Sequence, residues 1–172
     1  MVSAVLEQGG LGVLDVPAAR WWTPEEWVAT FIDRSAFNVR DHTIIVFTDD
    51  DRHHPGLWAH TRGMKKFGRP DLQVKHLPGR YGKAPVNVAG EVINDFAGRM
   101  ARGKLIPDGW RMSYQQDLHA FAFVLTPDDS GLGNRHFNND VLEIVDYDPD
   151  SGARGPGLSR LLAEIAAKDD WR

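Results

Sequence analysis

From Ala89 to Ala101 the apolar residues Ala89, Val92, Ile93, Phe96, Ala97, Met100 and Ala101 recur at steps of three and four. That spacing places them on one stripe of a helix, and Gly103 follows as a C-terminal stop. A stripe this wide must be covered, so this helix is expected to form the main helical layer of the core. The segments that could cover it read as strands. Thr43 to Thr48 is an unbroken run, which predicts a strand covered on both faces. Leu57 to Thr61 predicts another. From Asp71 to Leu77, Leu72 and Val74 alternate with Gln73 and Lys75, as in a half-exposed strand.

Downstream, Trp110, Met112 and Tyr114 alternate with Arg111 and Ser113, and Ala120 to Thr126 and Val141 to Tyr147 are mostly apolar. Three further strands follow from these patterns. Upstream, Thr23-Pro24-Glu25-Glu26 carries a helix start: Thr23 as N-cap, proline at the first helical position, and Glu26 completing a capping box. Trp22 and Trp27 stand at the two positions of a hydrophobic staple, and the helix should fade near Arg34. Leu158, Leu161, Leu162 and Ile165 mark a last short helix. Asp49 to Gly56, Pro78 to Pro85, Pro127 to Asn139 and Asp148 to Gly157 read as loops. The expected fold class is α+β, a single mixed or largely antiparallel sheet with helices packed on it, in one domain over residues 1–172.

A chain of 172 residues, 42% hydrophobic with six Trp and eight Phe, can build a core without staples. It contains no cysteine, so disulfides, thiol nucleophiles and thiolate metal sites are all excluded. The N-terminal residues lack a basic region before an apolar one and predict no signal peptide, and no apolar run is long enough to span a bilayer. A cytoplasmic, bacterial-style domain with no membrane association is the expectation.

Charge is distributed unevenly. Between His60 and Lys83 stand seven basic residues, Arg62, Lys65, Lys66, Arg69, Lys75, Arg80 and Lys83, against the single acid Asp71. That segment carries +6 in a chain whose formal total is −4, leaving −10 for the rest. Glycines at 63 and 68 allow tight turns beside the cations, so guanidinium forks and amides could converge on a carboxylate or a phosphate. The bland reading is a solvated loop in which Asp71 pairs with Arg69. The candidate ligand-binding residues are His60, Arg62, Lys65, Lys66, Arg69 and Asp71, with no catalytic residue identified.

Other motifs lead nowhere specific. Gly79 to Ala84 lacks the first glycine and the Ser or Thr of a phosphate loop, and Gly131-Leu-Gly133 lacks the third glycine of a dinucleotide fingerprint. Asp49-Asp50-Asp51-Arg52-His53-His54 looks metal-like, but successive residues of an extended chain point to opposite faces. Asp146 to Gly152 begins like a calcium loop and then offers Ser151 and Gly157 where glycine and glutamate are needed. No metal and no cofactor are expected. Nucleic acid is not an expected partner either, because the acidic remainder would repel a long polyanion.

The block Leu57-Trp-Ala-His60-Thr-Arg62-Gly-Met-Lys-Lys-Phe-Gly68-Arg-Pro-Asp71-Leu, with the alternating strand after it, resembles the signature of an uncharacterised bacterial domain-of-unknown-function family. Members of that family carry a His-Thr-(Arg/Leu)-Gly-Met…(Phe/Leu)-Gly-x-Pro-(Asp/Glu)-(Leu/Ile) block. Outside it, the downstream helix and Ile106-Pro-Asp-Gly109 fit loosely. The resemblance implies a small α+β domain with a site-like block at His60 to Asp71 and assigns no catalytic roles. The function expected is an accessory domain that binds an acidic protein surface or a small anionic ligand through His60 to Lys83. The alternative is an enzyme on a phosphorylated or carboxylated small molecule, with Arg62, Lys65 and Arg69 as anion clamp and His60 as acid/base, for which Asp71 would be the orienting carboxylate.

Overall fold

The computed structural model describes residues 2–34, 36–48, 56–77, 83–114, 117–126, 139–155, 158 and 160–162. In chain order, α1 (Val2–Glu7) leads into a small antiparallel pair, β1 (Val13–Asp15) and β2 (Arg20–Trp22). Next come α2 (Pro24–Trp27), which runs directly into a π-helical turn at Val28–Ile32, and α3 (Val39–His42). The sheet then begins: β3 (Ile44–Thr48), β4 (Leu57–Arg62), a 3-10 turn at Met64–Phe67, and β5 (Asp71–Leu77). After α4 (Lys83–Ala101) come β6 (Trp110–Tyr114), β7 (Asp117–Thr126) and β8 (Val141–Asp146). The fold is α+β.

The six long strands form one mixed sheet in the order β3-β4-β5-β8-β7-β6. Two antiparallel meanders meet along a central parallel pair, with Asp71 opposite Val141, Leu72 opposite Leu142 and Gln73 opposite Glu143. A parallel pair needs a long return connection, and α4 with the β6–β7 hairpin supplies it. Helix α4 lies across one face. Val92, Ile93, Phe96 and Ala97 are wholly buried there with Ala59, Leu72, Val74, Phe121 and Ile144. Phe96 meets Phe121 and Phe123 edge-on at 5.5 and 4.9 Å, the arrangement aromatic quadrupoles favour.

Local chemistry accounts for the other elements. The Thr23 side chain accepts from Glu26 N at 3.2 Å while Glu26 accepts from Thr23 N at 3.0 Å, closing the reciprocal cap. The staple forms through a third ring: Phe31 packs at 5.1 Å from Trp22 and 4.4 Å from Trp27. Gly103 ends α4 at φ +83, donating to Met100 O at 2.9 Å.

Three expectations are corrected. Among the described residues β3 is an edge strand paired with β4, and Phe47 is exposed. An apolar run suits an edge as well as a sheet centre, because cross-strand pairing to β4 satisfies the same β-branched residues. Gln73 is buried, not exposed, and accepts a 3.0 Å hydrogen bond from Trp58 Nε1. A buried amide is tolerated because its oxygen has found that donor. The third concerns elements: α1, the β1–β2 pair and α3 are too short to display a period, and α4 starts at Lys83, inside the segment 78–85 expected to be a loop, because a proline in the first turn lacks only an N–H that has no helical partner there.

Candidate functional site

The segment from Arg62 to Leu72 is organised by a buried carboxylate. Asp71 Oδ1 accepts from Thr61 Oγ1 at 2.8 Å and from Met64 N at 3.2 Å, and Oδ2 accepts from Asn139 Nδ2 at 3.0 Å. The same Asn139 amide also donates to Arg69 O at 2.7 Å. Thr61 Oγ1 in turn accepts from Leu72 N. One carboxylate therefore ties the end of β4, the start of the turn, the start of β5 and the residue that precedes β8 by two. Burial pushes the Asp71 carboxyl above its ordinary range, and the hydrogen bonds from Asn139, Thr61 and Met64, with the charge of Arg62, offset part of that rise.

Two glycines make the turn possible. Gly63 sits at φ +115, and a Cβ there would lie 2.5 Å from His42 O, so a side chain is excluded by both backbone and space. Gly68 closes the turn at φ +63, with its N–H on Lys65 O at 3.0 Å. Met64 is fully buried in the core cluster and anchors the turn from beneath.

The candidate cations divide into groups. Lys66 reaches away from the turn to Asp15 on β1, whose side chain is only 7% exposed. Lys75 pairs with Glu143 across the parallel strands at 3.5 Å. Lys65 is exposed, and Arg62 and Arg69 are half-buried on the same turn. Arg80 and the Lys83 side chain lie outside the described residues. Arg69 makes no ion pair with Asp71 among the described residues; the link between those two residues runs through Asn139. His60 is 2% exposed, with its ring 4.4 Å from that of Trp58 and Nδ1 3.4 Å from Thr61 O. Asp71 does not hydrogen-bond to His60: its oxygens serve Thr61, Met64 and Asn139.

The turn is continuous with a second cationic surface that the sequence does not display as a cluster. Phe67 packs edge-on against Phe37 at 5.7 Å, and the Arg102 guanidinium lies 5.3 Å from the Phe37 ring. Beyond Arg102 a groove of about 440 Å³ runs between α3 and the C-terminal half of α4. Its basic lining residues are Arg40, Arg99, Arg102 and Lys104, and its acids are Glu91 and Asp95. Asp95 is held by Arg99 through two hydrogen bonds of 2.7 and 3.1 Å, and Glu91 faces Arg40 at 3.6 Å. Arg102 donates to Gly98 O at 2.9 Å. Lys104 is exposed and makes no ion pair among the described residues. The signal was present as Arg99-x-x-Arg102-x-Lys104, but basic residues in the last turn of a helix are ordinary partners of its dipole.

A smaller cavity, about 190 Å³, lies where β7 begins and β8 ends and includes the buried His119 and Asp146. Its acids serve the fold. Asp146 Oδ2 accepts from Arg160 N at 2.6 Å, and Asp148 accepts from Asp150 N and Ser151 Oγ within its own turn. Those bonds hold the Asp148 carboxyl below the usual range. The Asp49–His54 stretch lies outside the described residues. Among the described residues no group of three or more His, Asp or Glu is placed to hold a metal ion. No helix among them is long and apolar enough to cross a membrane. No family model, curated protein or solved structure matches the chain.

Proposed function

We propose that this chain is a binding module that recognises an acidic protein surface through the turn from Arg62 to Asp71. The observation that supports the reading is the buried Asp71 carboxylate with its three donors, which fixes the turn that carries Arg62, Lys65 and Arg69. A turn already held in one shape loses little entropy on binding, so its charges cost less to use. Asp71 is thereby assigned a positioning role, not contact with the partner. Lys66 shares that role, since its ammonium fastens the turn to β1.

The enzyme alternative needs an acid/base that a small molecule can reach. His60 at 2% exposure is poorly placed for that, and Asp71 is not its orienting carboxylate. The two cavities described above are lined by other residues.

The test is a titration of the protein with an oligoglutamate peptide, followed by calorimetry, for the parent and for Arg62→Ala/Arg69→Ala. The double variant should lose at least about tenfold in affinity, equivalent to ~1.4 kcal/mol, with unchanged circular dichroism. Replacement by lysine should restore only part of it if the forks bind carboxylates in pairs. A companion thermal-shift series with phosphate, nucleotides and dicarboxylates separates the readings. Stabilisation by one of these small molecules, lost in the double variant, would favour the enzyme.

A further inference from the structure

We infer that the groove between α3 and α4 is the second half of the same recognition surface, and that its occupant is an extended acidic peptide segment of a partner protein. The inference rests on the proposed function and extends it to a defined ligand shape.

Continuity is the first argument. Phe37 touches both Phe67 of the turn and the Arg102 guanidinium of the groove, at 5.7 and 5.3 Å, so no gap separates the two cationic zones. Phe37 itself is 42% exposed although it stands between two packed rings, which leaves an apolar face for a side chain of the ligand. An extended peptide advances about 3.3 Å per residue, so a few residues bridge the distance from the turn to Arg102.

Charge is the second argument. Four basic residues line the groove against two acids, and the acids are already engaged with Arg99 and Arg40. Arg102 uses one guanidinium nitrogen on Gly98 O and retains further donors, and Lys104 is exposed beside it. Carboxylates of a ligand would therefore be drawn to Arg102 and Lys104. Asn38 and Asn94 add amide groups to the lining, which can serve a peptide backbone.

Shape and spacing argue for peptide over nucleic acid. Glu91 and Asp95 interrupt the cationic wall at one-turn intervals along α4, so a phosphate chain with a charge on every residue meets repulsion. A peptide can place its carboxylates at the cations and neutral residues opposite Glu91 and Asp95.

The experiment uses the full chain and a fluorescein-labelled peptide of alternating glutamate and glutamine with one central phenylalanine, read by fluorescence anisotropy. Arg102→Glu/Lys104→Glu should raise Kd at least about tenfold, and Lys65→Glu/Arg69→Glu should do the same. Removing the phenylalanine from the peptide should weaken parent binding about threefold or more. Arg102→Gln/Lys104→Gln serves if charge reversal perturbs the fold, and melting temperature is recorded for each. Loss of binding in the turn variant with parental affinity in both groove variants overturns the groove inference and leaves the binding module standing. Loss in the groove variants alone overturns the turn as the recognition element and keeps the groove. No binding of the peptide by the parent overturns both. Tighter binding of a single-stranded oligonucleotide than of the peptide, abolished by the groove variants, overturns the choice of occupant.

Discussion

At the scale of single residues, Asp71 decides how the turn is built. Sequence reading placed it in the site because it is the lone acid among seven cations, and assigned it to Arg69 or His60. Its real partners are Thr61, Met64 and Asn139. None of these could be read from the sequence, because Thr61 looks like an ordinary strand threonine, Met64 offers only its backbone N–H, and Asn139 lies 68 positions away. The expected consequence is a pH signature. A carboxyl whose folded pKa is raised above its ordinary value of 3.8 binds its proton more tightly in the folded state. Stability from this group is then greatest at low pH and falls as pH rises through the window between 3.8 and the raised folded value. Asp71→Asn lacks that titration and sets an NH2 against the Asn139 amide or the Thr61 and Met64 donors. We expect the variant to be less stable by about 1–3 kcal/mol, the usual cost of a mismatched buried group. The parent's advantage should shrink as pH rises through the window, measured by urea unfolding at a series of acid pH values. An advantage that grows with pH would mean that burial does not dominate at Asp71.

At the scale of elements, periodicity located every long element but not all of its bounds. Strands β5, β6 and β8 keep their expected limits within a residue, whereas α4 matches its pattern only at the Ala101 end and β7 begins at Asp117, three residues before its apolar run. The Phe96 stripe faces β7, as its spacing required. Phe96→Ala should therefore destabilise the protein by about 3–5 kcal/mol, because a wholly buried ring leaves a cavity under α4. A thermal midpoint equal to the parent's would remove α4 from the core. Short elements were invisible for the reason that they are stabilised from outside. The β1–β2 pair has three residues per strand and is held to the body by Lys66 on Asp15. Helix α3 is a single turn capped by Asn38, whose side chain accepts from Arg40 N at 3.1 Å. That turn places His42 among Phe31, Phe37 and Phe67, at 5.0, 5.3 and 5.5 Å. Burial, and then the charge of Lys66, push the His42 imidazole below 6.5, with Asp41 and Asp15 opposing. The unfolded chain thus takes up the proton more readily, and stability from this group is lost as pH falls from 6.5 through the lowered folded value. Since Phe31 also touches Trp22 and Trp27, tryptophan emission should report loosening of this aromatic layer on acidification. His42→Phe should suppress that change, whereas an unaltered emission profile in the variant would assign it to another group.

At the scale of the whole molecule, the sequence showed the cationic turn and missed its continuation. Arg40 comes from α3 and Arg99, Arg102 and Lys104 from the end of α4, and only folding brings them beside Phe37 and Phe67. The net balance still matters, because the residues outside the 60–83 segment carry −10 in total. A short acidic peptide that stays on the turn and the groove meets mainly positive potential. A longer one must leave that surface and cross the acidic remainder. Exposed charges interact over a screening length of roughly 8–10 Å near physiological salt, so the penalty begins soon after the ligand passes the groove. Affinity for alternating glutamate–glutamine peptides should therefore rise with length until the peptide spans the turn and the groove, and fall beyond it at low ionic strength. Added salt should lower the affinity of the best peptide and at the same time weaken the penalty on longer ones, flattening the maximum. A length series measured by anisotropy at two salt concentrations checks this. Affinity that climbs without limit as the peptide lengthens would mean that the attractive surface extends well past Lys104, and the bounded two-zone surface would be wrong.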